Sequence, residues 1–196
     1  MIGIETEIKF AVNDLAQLEA RLAARGFHVV TARSFESNVL FDTAERTLRA
    51  RRELVRIREY AGRTIVTHKR IPPSISEEDR HKHRIESETE VSDGAAFAQI
   101  LLAVGMEPVF RYEKWRTEYF DGRGHCVIDE TPIGIYAELE GESEWIDTIA
   151  ESLDVPQDER MTLSYGRLFD QWREQTGATA TDLTFEVIRA AVQHQQ

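Results

Sequence analysis

Several short stretches of this chain put ionisable residues at every second position. Glu5, Glu7 and Lys9 form one set, Arg56 and Arg58 a second, and Arg84, Glu86, Glu88 and Glu90 a third. Lys114, Arg116 and Glu118 form a fourth, and Glu138 and Glu140 a fifth. Side chains alternate between the two faces of a strand, so the members of each set share a face. The seven cations Lys9, Arg56, Arg58, Lys69, Arg84, Lys114 and Arg116 exceed what the acids neutralise in simple pairs. The planar fork of arginine suits phosphate oxygens. The close pairs Glu5/Glu7 and Glu138/Glu140 offer hard oxygen ligands of the kind that hold Mg2+ or Mn2+. A polyphosphate bridging a wall of cations and a metal satisfies both sets at once.

An open antiparallel sheet with one wet face also gives charged alternation. On a single strand that reading is the better one. Across five strands it weakens, because the ionic faces are dominated by Arg, Lys and Glu, and the opposite faces carry Ile8, Phe10, Val55, Ile57, Trp115, Ala137 and Leu139. Closing the sheet places the charges inside, sets helices outside and removes strand edges. Charges enclosed in this way need partners or a ligand.

The elements that position these residues read as follows. Strands are expected at Ile4–Phe10, Phe35–Phe41, Leu54–Tyr60, Thr64–Lys69, His83–Val91, Val109–Phe120, His125–Asp129 and Ile133–Glu140. Helices are expected from a cap at Asn13 or Asp14 to about Ala24, over Asp93–Val104, Glu144–Leu153, Leu163–Gln175 and Asp182–Gln193. Asp42-Thr43 opens a short connection, and Ile71–Asp79 is a polar, proline-bearing loop. The last helix is expected to pack on the body. The fold class is therefore α+β, an eight-stranded antiparallel closed β-barrel with flanking helices.

This series resembles the CYTH family, the triphosphate tunnel metalloenzymes. Glu5-Thr6-Glu7-Ile8-Lys9 matches its Glu-x-Glu-x-Lys opening, and Arg56-Ile57-Arg58 its Arg-x-Arg strand. Lys69, then Arg84, Glu86 and Glu88, then Lys114 and Arg116, Asp129, and Glu138 with Glu140 continue the pattern in order, followed by Ser164-Tyr165. The resemblance runs from Ile4 to about Trp172. It implies a tunnel domain over residues 1–176, with 177–196 as a helical extension. The chain departs from the family at Val39-Leu40-Phe41-Asp42-Thr43, where members often carry a tyrosine. It also departs at Arg160-Met161-Thr162, where some members carry a phosphate-binding lysine.

The resemblance implies metal-dependent attack of water on a linear triphosphate. Lys9, Arg56, Arg58, Lys69, Arg84, Lys114 and Arg116 would grip the phosphates. Glu5, Glu7, Asp129, Glu138 and Glu140 would hold the metal, with Asp129 either a ligand or a residue that orients one. Lys114 would position water or protonate the leaving group, and Glu86 or Glu88 would orient water or bind a second metal. The same tunnel serves a class IV adenylate cyclase making cyclic AMP, which is the second reading. A non-catalytic polyphosphate-binding module is the third.

The chain has 196 residues and a net charge of −11, which argues against duplex nucleic acid as a partner. No apolar run suits a bilayer, and the single cysteine, Cys126, fits a reducing cytoplasm. A small-molecule triphosphate is the expected partner, with the chain a monomer or homodimer. His81-Lys82-His83 lacks helical spacing and reads as a solvated loop or a strand start.

Overall fold

The computed structural model describes residues 2–73 and 79–193. The expected loop at 71–79 therefore falls partly on residues 74–78, outside the described residues. Eight strands form the core: β1 (Ile2–Ala11), β2 (His28–Asp42), β3 (Leu54–Tyr60), β4 (Arg63–Arg70), β5 (Lys82–Val91), β6 (Glu107–Phe120), β7 (His125–Thr131) and β8 (Gly134–Glu140). They close into one barrel in the order β1-β5-β4-β3-β2-β6-β7-β8. Every neighbouring pair is antiparallel, including the closing pair, in which Lys9 lies opposite Glu138.

The charged alternation predicts this closure, and the helices sit outside as that logic requires. Helices α1 (Leu15–Ala24) and α4 (Ser143–Ser152) cover one flank, where Leu22, Trp145 and Ile146 pack on Ile8, Phe10 and Leu139. Helix α3 (Gly94–Ala103) sets Leu101 against Phe41, Ile57 and Val66. Helices α5 (Tyr165–Thr176) and α6 (Phe185–Gln193) share a third cluster containing Tyr112, Phe169, Leu183 and Ile188. Side-chain oxygens of Asp14, Asp93 and Ser164 accept backbone N–H groups at the starts of α1, α3 and α5.

Two local features differ from the expectation. β2 begins at His28, seven residues earlier than its alternation suggests, because register shifts against β6 between Val29 and Ser34 break the period of two. The connection after Asp42 contains a one-turn helix, α2 (Thr47–Ala50). The Asp42 carboxylate organises it, accepting the backbone N–H groups of Thr43, Leu48 and Arg49 at 2.8–2.9 Å. The last segment packs on the barrel as expected: Leu183 is fully buried and exchanges backbone hydrogen bonds with Arg111 and Glu113 of β6. No helix among the described residues is long and apolar enough to cross a membrane.

Candidate active site in the barrel lumen

Alternate residues of all eight strands project into the barrel and meet there as ions. On one side, Asp129 of β7 is fully buried and receives three donors. Arg116 binds it through two nitrogens at 2.7 Å, Lys114 Nζ lies 2.8 Å away, and the Tyr165 hydroxyl donates at 2.5 Å. Arg116 also donates to Glu138 at 2.8 Å, and Lys9 pairs with the other Glu138 oxygen. Burial alone would raise the Glu138 carboxyl, but Lys9, Arg116 and Lys114 hold it well below its ordinary value. The Tyr165 ring lies beneath both lysines, 4.3 Å from Lys9 Nζ and 4.6 Å from Lys114 Nζ.

The opposite wall is cationic. Arg56 donates to the Tyr112 hydroxyl at 3.0 Å and to Thr67 at 3.3 Å, and lies 3.7 Å from Glu88. Thr67 donates to Glu88 at 2.7 Å. Arg58 sits 3.7 Å from Glu36. The buried Nε atoms of Arg56 and Arg58 both lack a hydrogen-bond partner. Lys69 is shared by Glu5, at 2.9 Å, and Glu86. The Arg84 guanidinium donates to the His83 carbonyl, and its pKa falls below the ordinary value because burial and the charge of Arg52 outweigh the nearby acids.

The carboxylates that gather most closely are Glu5, Glu7 and Glu140, which offer oxygens within 4.8 Å of one another. Burial, then the charges of Glu5 and Glu138, push the Glu140 carboxyl up to about 8. Glu86 is likewise pushed up to about 8, by burial and then by its hydrogen bond with Glu5. Burial would raise Glu5 too, but Lys69 leads a group of partners that hold it low. The lumen thus crowds carboxylates around Glu140, where ionising all three is unfavourable, and holds an under-compensated cation at Arg84. A divalent cation fits the first: three carboxylates converge, and one of them is forced toward its protonated form in the absence of added positive charge.

The structure brings every sequence-predicted site residue to the lumen but groups the acids differently from the two close pairs. Glu138 and Asp129 are engaged by cations, and Glu140 joins Glu5 and Glu7. Four lumen residues escaped the sequence reading: Glu36, Asn38, Lys82 and Thr67, the last held between Arg56 and Glu88. Glu36 is fully buried beside Lys114, at 3.4 Å, and Arg116, at 3.6 Å, with Asn38 donating to it at 2.9 Å. Lys82 pairs with Glu7, and the Glu7 and Glu5 charges overcome burial to hold its pKa above the ordinary value. The alternation of Glu36, Asn38 and Leu40 was a usable signal, and so was extending β5 back by one residue.

These features define a class: a closed antiparallel barrel with helices outside and an ionic lumen. A family model for the CYTH domain matches residues 3–157, and the chain belongs to that family. It is 30% identical over 138 residues to a Methanocaldococcus jannaschii protein named "putative adenylate cyclase", covering 70% of this chain and 76% of that one. Among solved structures, a Vibrio parahaemolyticus protein, also named a "putative adenylate cyclase", superposes with a TM-score of 0.73 at 19% identity, over 85% of this chain and 98% of its own. A Hippeastrum "putative adenylyl cyclase", described as revealing a dominant triphosphatase activity, gives a TM-score of 0.58 at 18% identity, over 86% and 96%. At these identities the two structures establish the fold.

Proposed function

We propose that the protein is a metal-dependent triphosphatase that hydrolyses a linear triphosphate inside the barrel. The observation that carries this reading is the meeting, inside one closed lumen, of the cations Arg56, Arg58, Lys69 and Arg84 with the carboxylate cluster of Glu5, Glu7 and Glu140, the two sets touching where Lys69 pairs with Glu5. CYTH membership supports an enzymatic role on a triphosphate substrate.

In this reading the partnerless Nε atoms of Arg56 and Arg58, together with Arg84 and Lys69, receive the phosphate oxygens. Glu5, Glu7 and Glu140 would hold Mg2+ or Mn2+, which supplies positive charge to the phosphoryl oxygens when bound. Glu138 and Asp129 fix Lys9, Lys114 and Arg116 as a rigid cationic backing, and Lys114 offers its charge to the phosphoryl oxygens on that side. Water oxygen adds to the terminal phosphorus as the bridging phosphorus–oxygen bond breaks, and the bond's electron pair leaves with diphosphate. Glu86 retains a proton near neutral pH and donates it to that leaving oxygen. Glu88, held by Thr67, takes the proton of the attacking water. Charge fixed in advance is the main source of rate in this arrangement.

The test is a panel of tripolyphosphate, thiamine triphosphate and ATP with Mg2+ and Mn2+, scored for orthophosphate. Arg58→Ala and Glu140→Gln are each expected to lower turnover by about 10²-fold or more. Full metal-dependent phosphate release by both variants would show the assignment to be wrong. A second reading rests on the name of the 30% identical relative: ATP held in the same grip, with the ribose 3′-hydroxyl attacking the α-phosphorus. Chromatography of the ATP reaction for cyclic AMP separates the two.

A further inference from the structure

Just outside the lumen, a bend at His81 leads into β5 at Lys82. Lys82 points in, while His83 faces outward with Thr6 of β1 beside it in the register. His81 is not the solvated residue its sequence setting suggests: it is 5% exposed. Asp79 lies across from both rings. His81 Nδ1 is 3.6 Å from one Asp79 oxygen, and His83 Nε2 is 3.4 Å from the other. The three side chains offer ligand atoms within 4.8 Å of one another.

Two features mark this as more than a hydrogen-bonded cluster. The 3.4 and 3.6 Å separations lie at or beyond the outer limit of a hydrogen bond. Each ring thus faces its own Asp79 oxygen without a close hydrogen bond, and the three ligand atoms, within 4.8 Å of one another, leave room for an ion among them. In addition, each ring has its far nitrogen already occupied. His81 Nε2 is 3.1 Å from Asp147 of α4, and His83 Nδ1 is 2.9 Å from the Thr6 hydroxyl. Metal-binding histidines are held in this way, with the outer nitrogen fixed so that the inner one presents its lone pair.

We infer that Asp79, His81 and His83 form a second metal site, outside the tunnel, selective for a borderline first-row ion of the Zn2+ class, with water completing the tetrahedron. Two imidazoles and one carboxylate suit such an ion better than Mg2+, whose preferred ligands are all oxygen. The bound ion clasps the entry of β5, and through Asp147 it ties that entry to α4. Asp147 also holds Arg80 at 2.7 Å and Arg160 at 3.5 Å, so one carboxylate links the clasp to the segment after α4. This site is independent of the triphosphatase reading.

The experiment titrates Co2+, as a spectroscopic stand-in for Zn2+, into the metal-stripped full-length protein. The background is Glu5→Gln/Glu140→Gln, which removes two of the three clustered tunnel carboxylates. This protein is expected to bind one Co2+ with the visible absorption of a nitrogen-ligated tetrahedral ion. Zn2+ is expected to displace it and to raise the melting temperature. Adding Asp79→Asn or His83→Gln is expected to weaken binding at least tenfold and abolish the thermal shift. Adding Asp147→Asn, which leaves all three ligands in place, is expected to weaken it about 10–100-fold. Asp79 is only half-buried, whereas His81 is 5% exposed, so the Asp79 variant is the one expected to fold even if a histidine variant does not. Absence of a nitrogen-ligated Co2+ spectrum in the background protein, or unchanged affinity in Asp79→Asn, overturns the site, whatever the tunnel hydrolyses.

Discussion

Asp129 shows how a single buried carboxylate is stabilised. Two cations and a phenol donate to it, and Tyr165 is the donor that comes from outside the barrel wall. Tyr165→Phe removes that hydrogen bond to a charged group and leaves the Lys114 and Arg116 contacts. A loss of about 1.5–3 kcal/mol is expected in urea unfolding. Glu140 and Glu86 act in the opposite sense. Each keeps a proton in the folded protein up to about 8, whereas an unfolded glutamate releases it near 4.5. Their contribution to stability is therefore complete below about 4.5 and is lost as pH rises toward 8. Metal-free protein should unfold at lower urea concentration at pH 8 than at pH 5, and Glu140→Gln should flatten that slope. Binding of Mg2+ at pH 7 should release close to one proton, read by calorimetry in buffers of different ionisation enthalpy, and Glu140→Gln should abolish the release.

At the scale of elements, α4 is seated by a close approach as well as by the ion pairs of Asp147. The Trp145 ring lies against Gly124 and Gly141, where an added Cβ would come within 2.6 and 2.8 Å of it. Gly124→Ala or Gly141→Ala should cost about 1–3 kcal/mol, measured as a shift in the urea midpoint, with Gly124 the more severe. Leu183, in the segment between α5 and α6, fills the cluster beside Tyr112, and Leu183→Ala should cost about 2–5 kcal/mol in the same measurement. The strands were legible in the sequence wherever charge and apolar residues alternate strictly, as in β1, β5 and β8. The first half of β2 was not, because its register shifts against β6 destroy that signal. The short α2 was hidden for another reason: its stability comes from the Asp42 side chain, not from the propensity of four residues. Within the site the residue types were legible, but their grouping was not. Whether Glu138 sits with Glu140 or with Lys9 is decided by register across β1 and β8, which no single strand encodes.

For the molecule as a whole, a lumen with cations short of acceptors should be stabilised by the anion it is built to hold. Tripolyphosphate at about 100 times its dissociation constant, with chelator present to prevent turnover, should add about 2.7 kcal/mol and raise the melting temperature. Arg58→Ala should shrink that gain. The circular strand order has a separate consequence for how the chain reaches this state. β1 is made first, yet its two neighbours are β5 and β8, and Lys9 meets Glu138 only 129 positions later. The opening strand therefore gains its first neighbour only when β5 has been synthesised and its second only when β8, the last strand, has followed. Pairing across such long separations slows folding to the millisecond-to-second range. It also makes ring closure the final event, so a chain released before Glu140 keeps its first strand unsealed and prone to self-association.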